Sequence, residues 1–583
     1  MSATIQAVQP SSAWRAVVIG SVAVLAAGIG VAAGSFLLTS RGGAGLGAGA
    51  GYVPADAAYY FEISVEPSAA QDAALRELLG RFPPIEGVDL DRPLHEQLVE
   101  VLEENVARSD GDFSYADDVA PWFGGTIAVA IPDMDVASFA DPMSAPEPPE
   151  WLFIASVADA EAARATADRL LDLAADEGHE VTEMTHRGTV VWEIVREPAF
   201  SGEPGAVAIT DDALLVAEDG DDVRRALDLA ADGGSLATDA GWTSLTRQLP
   251  DDRLLFGVFD VTELIEASFS SSLGMSGLDT DAFEALFEGQ SLRGAFAISA
   301  AGDLLAFDSA ADAPTGRLAV ANADRGLADE VPADAIYFAD GGNLGASFTA
   351  FVEAMKETMA SDPFAGDQIE TMESAIGAEL EDFVSWMGDG AMVAGWDGSE
   401  PYAGFVIVPT DVEAARDRLE QLAGFARLGN MDPSMGLTVE DGEVAGVTVT
   451  TIRWANAMTD PLMGAPTGFA VEFAVTDDRA IIGLGDRFVD RALELDPADS
   501  LAADDRFSGP VDTFGGPNNT GVTWLDLRGL RVALEESFLP MAESFGMTGY
   551  DEVVAWLEPL DRIVFVSRIQ GDIVVQRGGL LVD

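Results

Sequence analysis

Histidine, cysteine and lysine are the side chains that most often carry acid–base or covalent chemistry near neutral pH. This sequence nearly lacks them: only His95, His179 and His186 occur, Lys356 is the single lysine, and there is no cysteine. The missing thiol removes disulfides, thiolate nucleophiles and thiolate metal sites together. "HEQLVE" from His95 opens like a zinc-protease helix, but Val99 stands where the second histidine must lie. His179, Glu180 and His186 could meet across a strand–turn–strand, yet histidines seven apart lie on opposite faces of an ideal strand. Surface histidines are therefore the expectation. A phosphate loop needs Gly-Lys, and Lys356 follows Met355. "GMSGLD" at Gly274 brings its second glycine one residue too early for a nucleophile elbow. "LDTDAFEALFE" at Leu278 has the Asp-x-Asp of a calcium loop without its spaced Gly and closing Glu, so Asp279 or Asp281 reads as a helix N-cap.

Carboxylates are abundant, with neighbouring pairs at Asp117/Asp118, Asp211/Asp212, Asp221/Asp222 and Asp477/Asp478. A catalytic pair is defined by its separation in space, so abundance along the chain has no diagnostic value. Trp122, Trp386 and Trp556 recur before glycines or at related closing positions, which favours packing over ligand stacking. No catalytic, cofactor-binding or metal-ligating residue is assigned, and no cofactor is expected.

The 583 residues carry 100 Asp plus Glu against 31 Lys plus Arg, a formal charge of −69. Such a chain repels phosphate backbones, which excludes nucleic acid as a partner. The acidity resembles that of salt-adapted proteins, whose self-repulsion is screened by salt; acidic exported proteins of an alkaline or GC-rich background would look similar. A 48% hydrophobic content with 8% aromatic is ample for packed cores.

The elements that would position any site begin with a membrane segment. From Ala16 to Leu38 there is no charged residue, roughly 35 Å of helix at about 1.5 Å per residue, enough to cross a hydrocarbon core. A cleavable signal has a shorter apolar core of about 7 to 15 residues, so an anchor is the reading. Arg15 and the amino terminus on one side and Arg41 on the other lean toward a cytoplasmic N-terminus. "GGAGLGAGAG" follows a membrane helix rather than a strand, and reads as a flexible tether.

Beyond it the chain repeats itself. "VPADAAYYFEI" at Val53 returns as "VPADAIYFADG" at Val331, "DAEAAR" at Asp159 as "DVEAAR" at Asp411, and "AITDDALLVAE" at Ala208 as "AVTDDRAIIGL" at Ala474. These ordered matches predict a tandem duplication. A finer signal is a Pro-x-Asp turn before an apolar strand, at Pro54/Asp56, Pro250/Asp252 and Pro332/Asp334, with Pro517/Asn519 as a fourth. The repeated aspartates read as turn formers. Short alternating strands joined by tight turns favour antiparallel sheet. The expected fold is α+β: a tail (1–15), the span (16–38), a Gly-rich linker (39–51), and two like modules (52–329 and 330–583) of largely antiparallel sheet with helices on one face.

"YVPADAAYYFEISVEPSAAQDAALRELLGRF" behind a single N-terminal span resembles a bacterial family described only as a domain of unknown function, number three-three-five-two. The likeness implies a membrane-anchored envelope protein and brings no activity or site residue. The expected function is a binding or scaffolding ectodomain on the outer side of the membrane, whose partner is an unknown protein or a small hydrophobic ligand. The alternatives are a lipid carrier or a carboxylate-based hydrolase.

Overall fold

The computed structural model describes residues 46–85, 87–97, 100, 114–132, 150–176, 180–195, 205–260, 262, 292–360, 371, 373–374, 377–429, 436–454, 469–485, 487–537 and 550–583. The expected span Ala16–Leu38, His179, Gly274, Asp279 and Asp281 lie outside them. Among the described residues no helix is long and apolar enough to cross a membrane.

The strands of the first half are β1 (Tyr59–Ser64), β2 (Phe123–Ile131), β3 (Leu152–Val157), β4 (Glu180–His186), β5 (Thr189–Val195), β6 (Ala206–Ile209), β7 (Ala213–Ala217), β8 (Leu255–Asp260), β9 (Arg293–Ala301) and β10 (Leu304–Asp312). Those of the second are β11 (Ala335–Gly341), β12 (Met387–Trp396), β13 (Pro401–Pro409), β14 (Leu437–Val444), β15 (Val447–Trp454), β16 (Phe469–Val475), β17 (Ala480–Leu484), β18 (Gly521–Asp526), β19 (Leu560–Gln570) and β20 (Ile573–Val582). All belong to one 20-stranded sheet. Its first run is β4-β5-β6-β7-β3-β2-β1-β8-β9-β10, every neighbour antiparallel. The pairing β10–β20 continues it into β20-β19-β18-β11-β12-β13-β17-β16-β15-β14. Adding ten to each strand number of the first run gives the second, read outward from the junction.

Turn chemistry agrees between the runs. β4–β5 closes on Arg187 and Gly188, and β14–β15 on Ala445 and Gly446, all four at positive φ as a two-residue I′ turn requires. Each Pro-x-Asp turn before β1 and β11 is tied in the same way: Leu236 N donates to Val53 O (2.9 Å) and Leu501 N to Val331 O (2.7 Å).

The helices used below are α1 (Ala69–Leu79), α2 (Ala160–Asp176), α3 (Gly220–Asp232), α4 (Ala240–Thr246), α5 (Leu344–Ala360), α6 (Val412–Gly429), α7 (Phe488–Leu493) and α8 (Asp505–Phe514). They cover both faces of the sheet, which corrects the expectation of one helical face. On β3, Leu152 and Ile154 join the core under α3 and α4, whereas Ala155 and Val157 join the core under α2. In the second half α7 and α8 share one core and α6 another. The physical reason is visible in β9, whose side chains from Gly294 to Ala300 are all buried, so neither face can be left to water. The first core also takes Ile573 and Val575 from β20, so the halves share buried surface across the junction.

The tether expectation fails for its last part. Ala48–Tyr52 is a 3-10 turn, and Ala50 has no exposed surface. A Cβ on Gly47 would fall 1.6 Å from Glu62 Oε2, and one on Gly49 2.9 Å from the Tyr60 hydroxyl. Glycine is needed here for close approach rather than for flexibility. The corresponding turn Leu327–Glu330 buries Leu327 in the second core, ahead of the expected boundary at 330.

Each half buries an acid on its first strand and faces it with a buried arginine, but the arginines come from different places. Glu62 accepts from the Tyr60 hydroxyl at 2.8 Å and lies within the charge of Arg253, from the turn before β8. Burial pushes the Glu62 carboxyl up, and Tyr60 and Arg253 oppose it. Asp340 faces Arg325, from the segment before β11, at 3.7 Å. Arg325 is 8% exposed and donates to Asn519 O (3.1 Å) and Thr520 O (2.9 Å).

Candidate functional site

The residues with chemical potential in the sequence do not converge. His95 lies on a short helical turn, its Nδ1 buried without a partner among the described residues. His186 Nε2 stands 2.8 Å from Asp228 Oδ1, an oxygen that also accepts from Arg187 Nε at 2.7 Å. The histidine therefore braces a hairpin against α3. The acid pairs divide in the same manner: Asp118 with Arg169, Asp212 with the Tyr52 hydroxyl at 2.5 Å, Asp221 with Arg224, and Asp478 in the Thr476 turn. Trp122 and Trp386 are buried, and Trp556, 36% exposed, stacks on Phe82 at 6.3 Å.

Two of the repeated aspartates reach beyond their own turns, and Asp252 does so by accepting from the Ser68 hydroxyl at 2.9 Å. Asp334, at the turn before β11, accepts from the Tyr402 hydroxyl at 2.5 Å and from Arg491 Nη2 at 2.5 Å. The Arg491 guanidinium lies over the Tyr402 ring, 4.7 Å from its centroid. Burial, and then the Asp334 charge, hold the Tyr402 phenol far above its usual range, so it donates to Asp334 at every physiological pH. Asp334 and Arg491 form one wall of a groove of about 440 Å³, completed by Pro332, Ala333, Glu494, Leu495, Asp496 and Asp499. Glu494 and Asp499 carry no ion pair among the described residues. Asp496 uses one oxygen to cap the next turn at Ala498 N, 3.0 Å away.

The same place in the first half is a slot of about 10 Å³, room for one water at most. Tyr52 and Trp151 line it, and Arg225, at the position of Arg491, pairs with Glu150 (3.3 Å) and Asp222 (3.1 Å). The difference follows from a few residues. After the matching stretches "RALDL" (Arg225–Leu229) and "RALEL" (Arg491–Leu495), the first half continues helical to Asp232, whereas the second meets Pro497. Proline cannot continue the hydrogen-bonded helix and pushes Asp496 into extended backbone, φ −75° and ψ 130°. Helix α7 ends at Leu493 and the chain turns away, leaving the groove open. The shared "RAL-L" stretch was the sequence signal for this site, and it lies just beyond the repeats singled out above.

Asp222 in the slot has its pKa pushed up to about 6, first by burial and then by Asp219 and Glu150. The folded chain therefore holds more protons than the unfolded chain between about pH 4 and 6, and stability falls as pH rises through that window. Asp222→Asn is expected to raise the melting temperature by about 2 °C above pH 6, with the gain vanishing near pH 4. A difference that stays constant across a pH series of melts would refute this.

A family model described as Protein of unknown function (DUF3352) matches residues 18–552. The chain belongs to this family. The match runs through both halves of the sheet and includes the whole groove, from Pro332 to Asp499. The family description assigns no activity, so the groove must be read from its own chemistry. No curated protein matches the chain, and no solved structure does.

Proposed function

We propose that this chain is a single-span, membrane-anchored envelope protein whose extracytoplasmic body arose by tandem duplication and works by binding or scaffolding. The observation that carries the binding reading is the contrast between the halves: one connection order, one filled slot, one open groove. A duplicated unit that keeps a cleft in one copy and packs it in the other has a simple account if the open copy holds a ligand. A carboxylate hydrolase would need two acids poised toward one reacting bond. In the groove Asp334 is instead engaged by Tyr402 and Arg491, and Asp496 caps the next turn, so neither stands free as one of such a pair. The anchor rests on the uncharged Ala16–Leu38 stretch and its length.

Both parts can be measured on the full chain. Carbonate-washed membranes should retain it, and protease added outside spheroplasts should degrade the body. Release by carbonate, or protection from the protease, would overturn the anchor or its orientation. Native mass spectrometry of the detergent-solubilised chain should show one retained ligand per chain, lost when Leu495→Trp fills the groove; a bare chain that also captures no added ligand would overturn the binding reading.

A further inference from the structure

We infer that the seam where β10 meets β20 is a two-fold interface specialised for unlike halves; this rests on the duplication reading above. A first half then fits a second half, of its own chain or of another copy, better than it fits its own kind. The hairpins β9–β10 and β19–β20 turn on Gly302-Asp303 and Gly571-Asp572, with both glycines at positive φ. Counted from these glycines, Leu304 corresponds to Ile573, Ala306 to Val575, Ala310 to Gly579 and Asp312 to Leu581. Across the seam Leu304 faces Leu581 and Ile573 faces Asp312, while Ala306 faces Gly579 and Val575 faces Ala310. Each pair returns with its members exchanged, the pattern of an isologous two-fold contact. The axis falls midway between these pairs, where Asp308 faces its own counterpart, Arg577.

Two like halves would set identical residues against each other on that axis. Here an acid faces a guanidinium, and the Arg577 charge counters the rise that burial gives the Asp308 carboxyl. Like charges directly opposed in a sheet are destabilising. The flanking positions differ as well. By the same register Phe307 faces Gly578, and its ring meets that of Phe565 on β19 across this glycine, the centroids 6.0 Å apart and the planes at 82°. The mirrored place sets Gln576 against Ser309, whose hydroxyl reaches Gln576 Oε1 at 3.5 Å, with Phe296 on the next strand. The first half thus brings a ring and an acid, and the second a gap and a base. Two first halves would bring two rings and no gap.

The test uses the full chain in detergent, with a protease site inserted after Gly316 in an exposed turn between the halves. After cleavage, native mass spectrometry should still find both pieces in one particle. When the cleaved chain is unfolded and refolded, unlike pairs should exceed like pairs about tenfold, the size of one opposed like charge plus one lost aromatic pair. Phe307→Gln with Asp308→Asn gives two first halves the glutamine–serine contact already present at the mirrored place and removes the opposed acids. Pairs of first halves should then come within about threefold of unlike pairs. In the uncleaved chain Arg577→Asp should lower the denaturant midpoint and adding Asp308→Arg should restore it, a readout independent of re-pairing. Like and unlike pairs in equal measure from the parent would overturn the sorting and leave the duplication reading intact, because a duplicated seam without specialisation accepts either half. Pieces that part on cleavage, a variant that still forms no like pairs, or a charge reversal without recovery would each overturn the inference. Halves that fail to superpose in an experimental structure would remove the duplication reading itself.

Discussion

Gly579→Ala should weaken the native state by about 3 kcal/mol or more, a loss of the size that backbone strain inside a sheet produces. Gly579 sits on β20 where it pairs with β10 on one side and β19 on the other, opposite Ala306 and Val564. Its φ is 154°, and an added Cβ would lie 2.1 Å from the Leu305 carbonyl oxygen. That oxygen is backbone, so relief requires moving a strand rather than a side chain. Gly578, also at φ 154°, is tighter still, with Val564 O at 1.9 Å. The pairing β10–β20 is the one that joins the two runs of strands. Hydrogen exchange should therefore show protection lost first in β10 and β20, with β4–β5 and β14–β15 little changed. A variant whose denaturant midpoint and β10 protection match the parent would show that the junction tolerates the substitution and that this reasoning is wrong.

Arg325→Met is the second large effect, about 3–5 kcal/mol, because it strands the buried acid that the arginine faces. Arg325 donates to Asn519 and Thr520 carbonyls and lies 3.7 Å from Asp340 and 3.6 Å from Asp389. Burial raises the Asp340 pKa, and the Val522 N–H and Arg325 oppose that rise. Removing the arginine pushes it further up. An acid whose folded pKa is raised costs stability as pH climbs through it, since the folded state holds the extra proton. The damage should thus be larger at pH 8 than at pH 5, where Asp340 can be buried neutral. Adding Asp340→Leu should recover much of the loss, because replacing both members of a buried pair is far milder than removing one. Denaturant titrations of the single and double variants at both pH values measure this; a double variant no better than Arg325→Met would show that the carboxylate is not the stranded group.

The sequence announced the Pro-x-Asp turns, the hairpins and their recurrence, because proline, glycine and aspartate act on their own backbone within a few residues. It announced the matching "EAAR" stretches with which α2 and α6 begin. It did not reveal that helices cover both faces. Small residues such as Ala206, Ala208, Ala213 and Ala217 bury themselves without the strong alternation that marks one wet face. The glycines from Gly47 to Gly51 read as a tether because glycine is equally the residue of flexible chain and of close approach. Only the Glu62 carboxylate and Tyr60 hydroxyl lying against them decide between the two.

The sequence by itself determined the local pieces of this protein and its charge: an uncharged span, Pro-x-Asp turns, repeated strand–helix stretches and a net charge of −69. These depend on neighbours along the chain, whose identities are fixed by the sequence. Tertiary structure decided which pieces meet. Glu62 faces Arg253 and Asp340 faces Arg325, arginines from non-equivalent positions along the chain, and no spacing rule predicts that exchange. It also decided that Arg225 closes a slot while Arg491, in a nearly identical stretch, borders an open groove. Pro497 is one local cause, but its consequence depends on what the interrupted helix would have covered, and that is set by contacts between residues far apart in the chain.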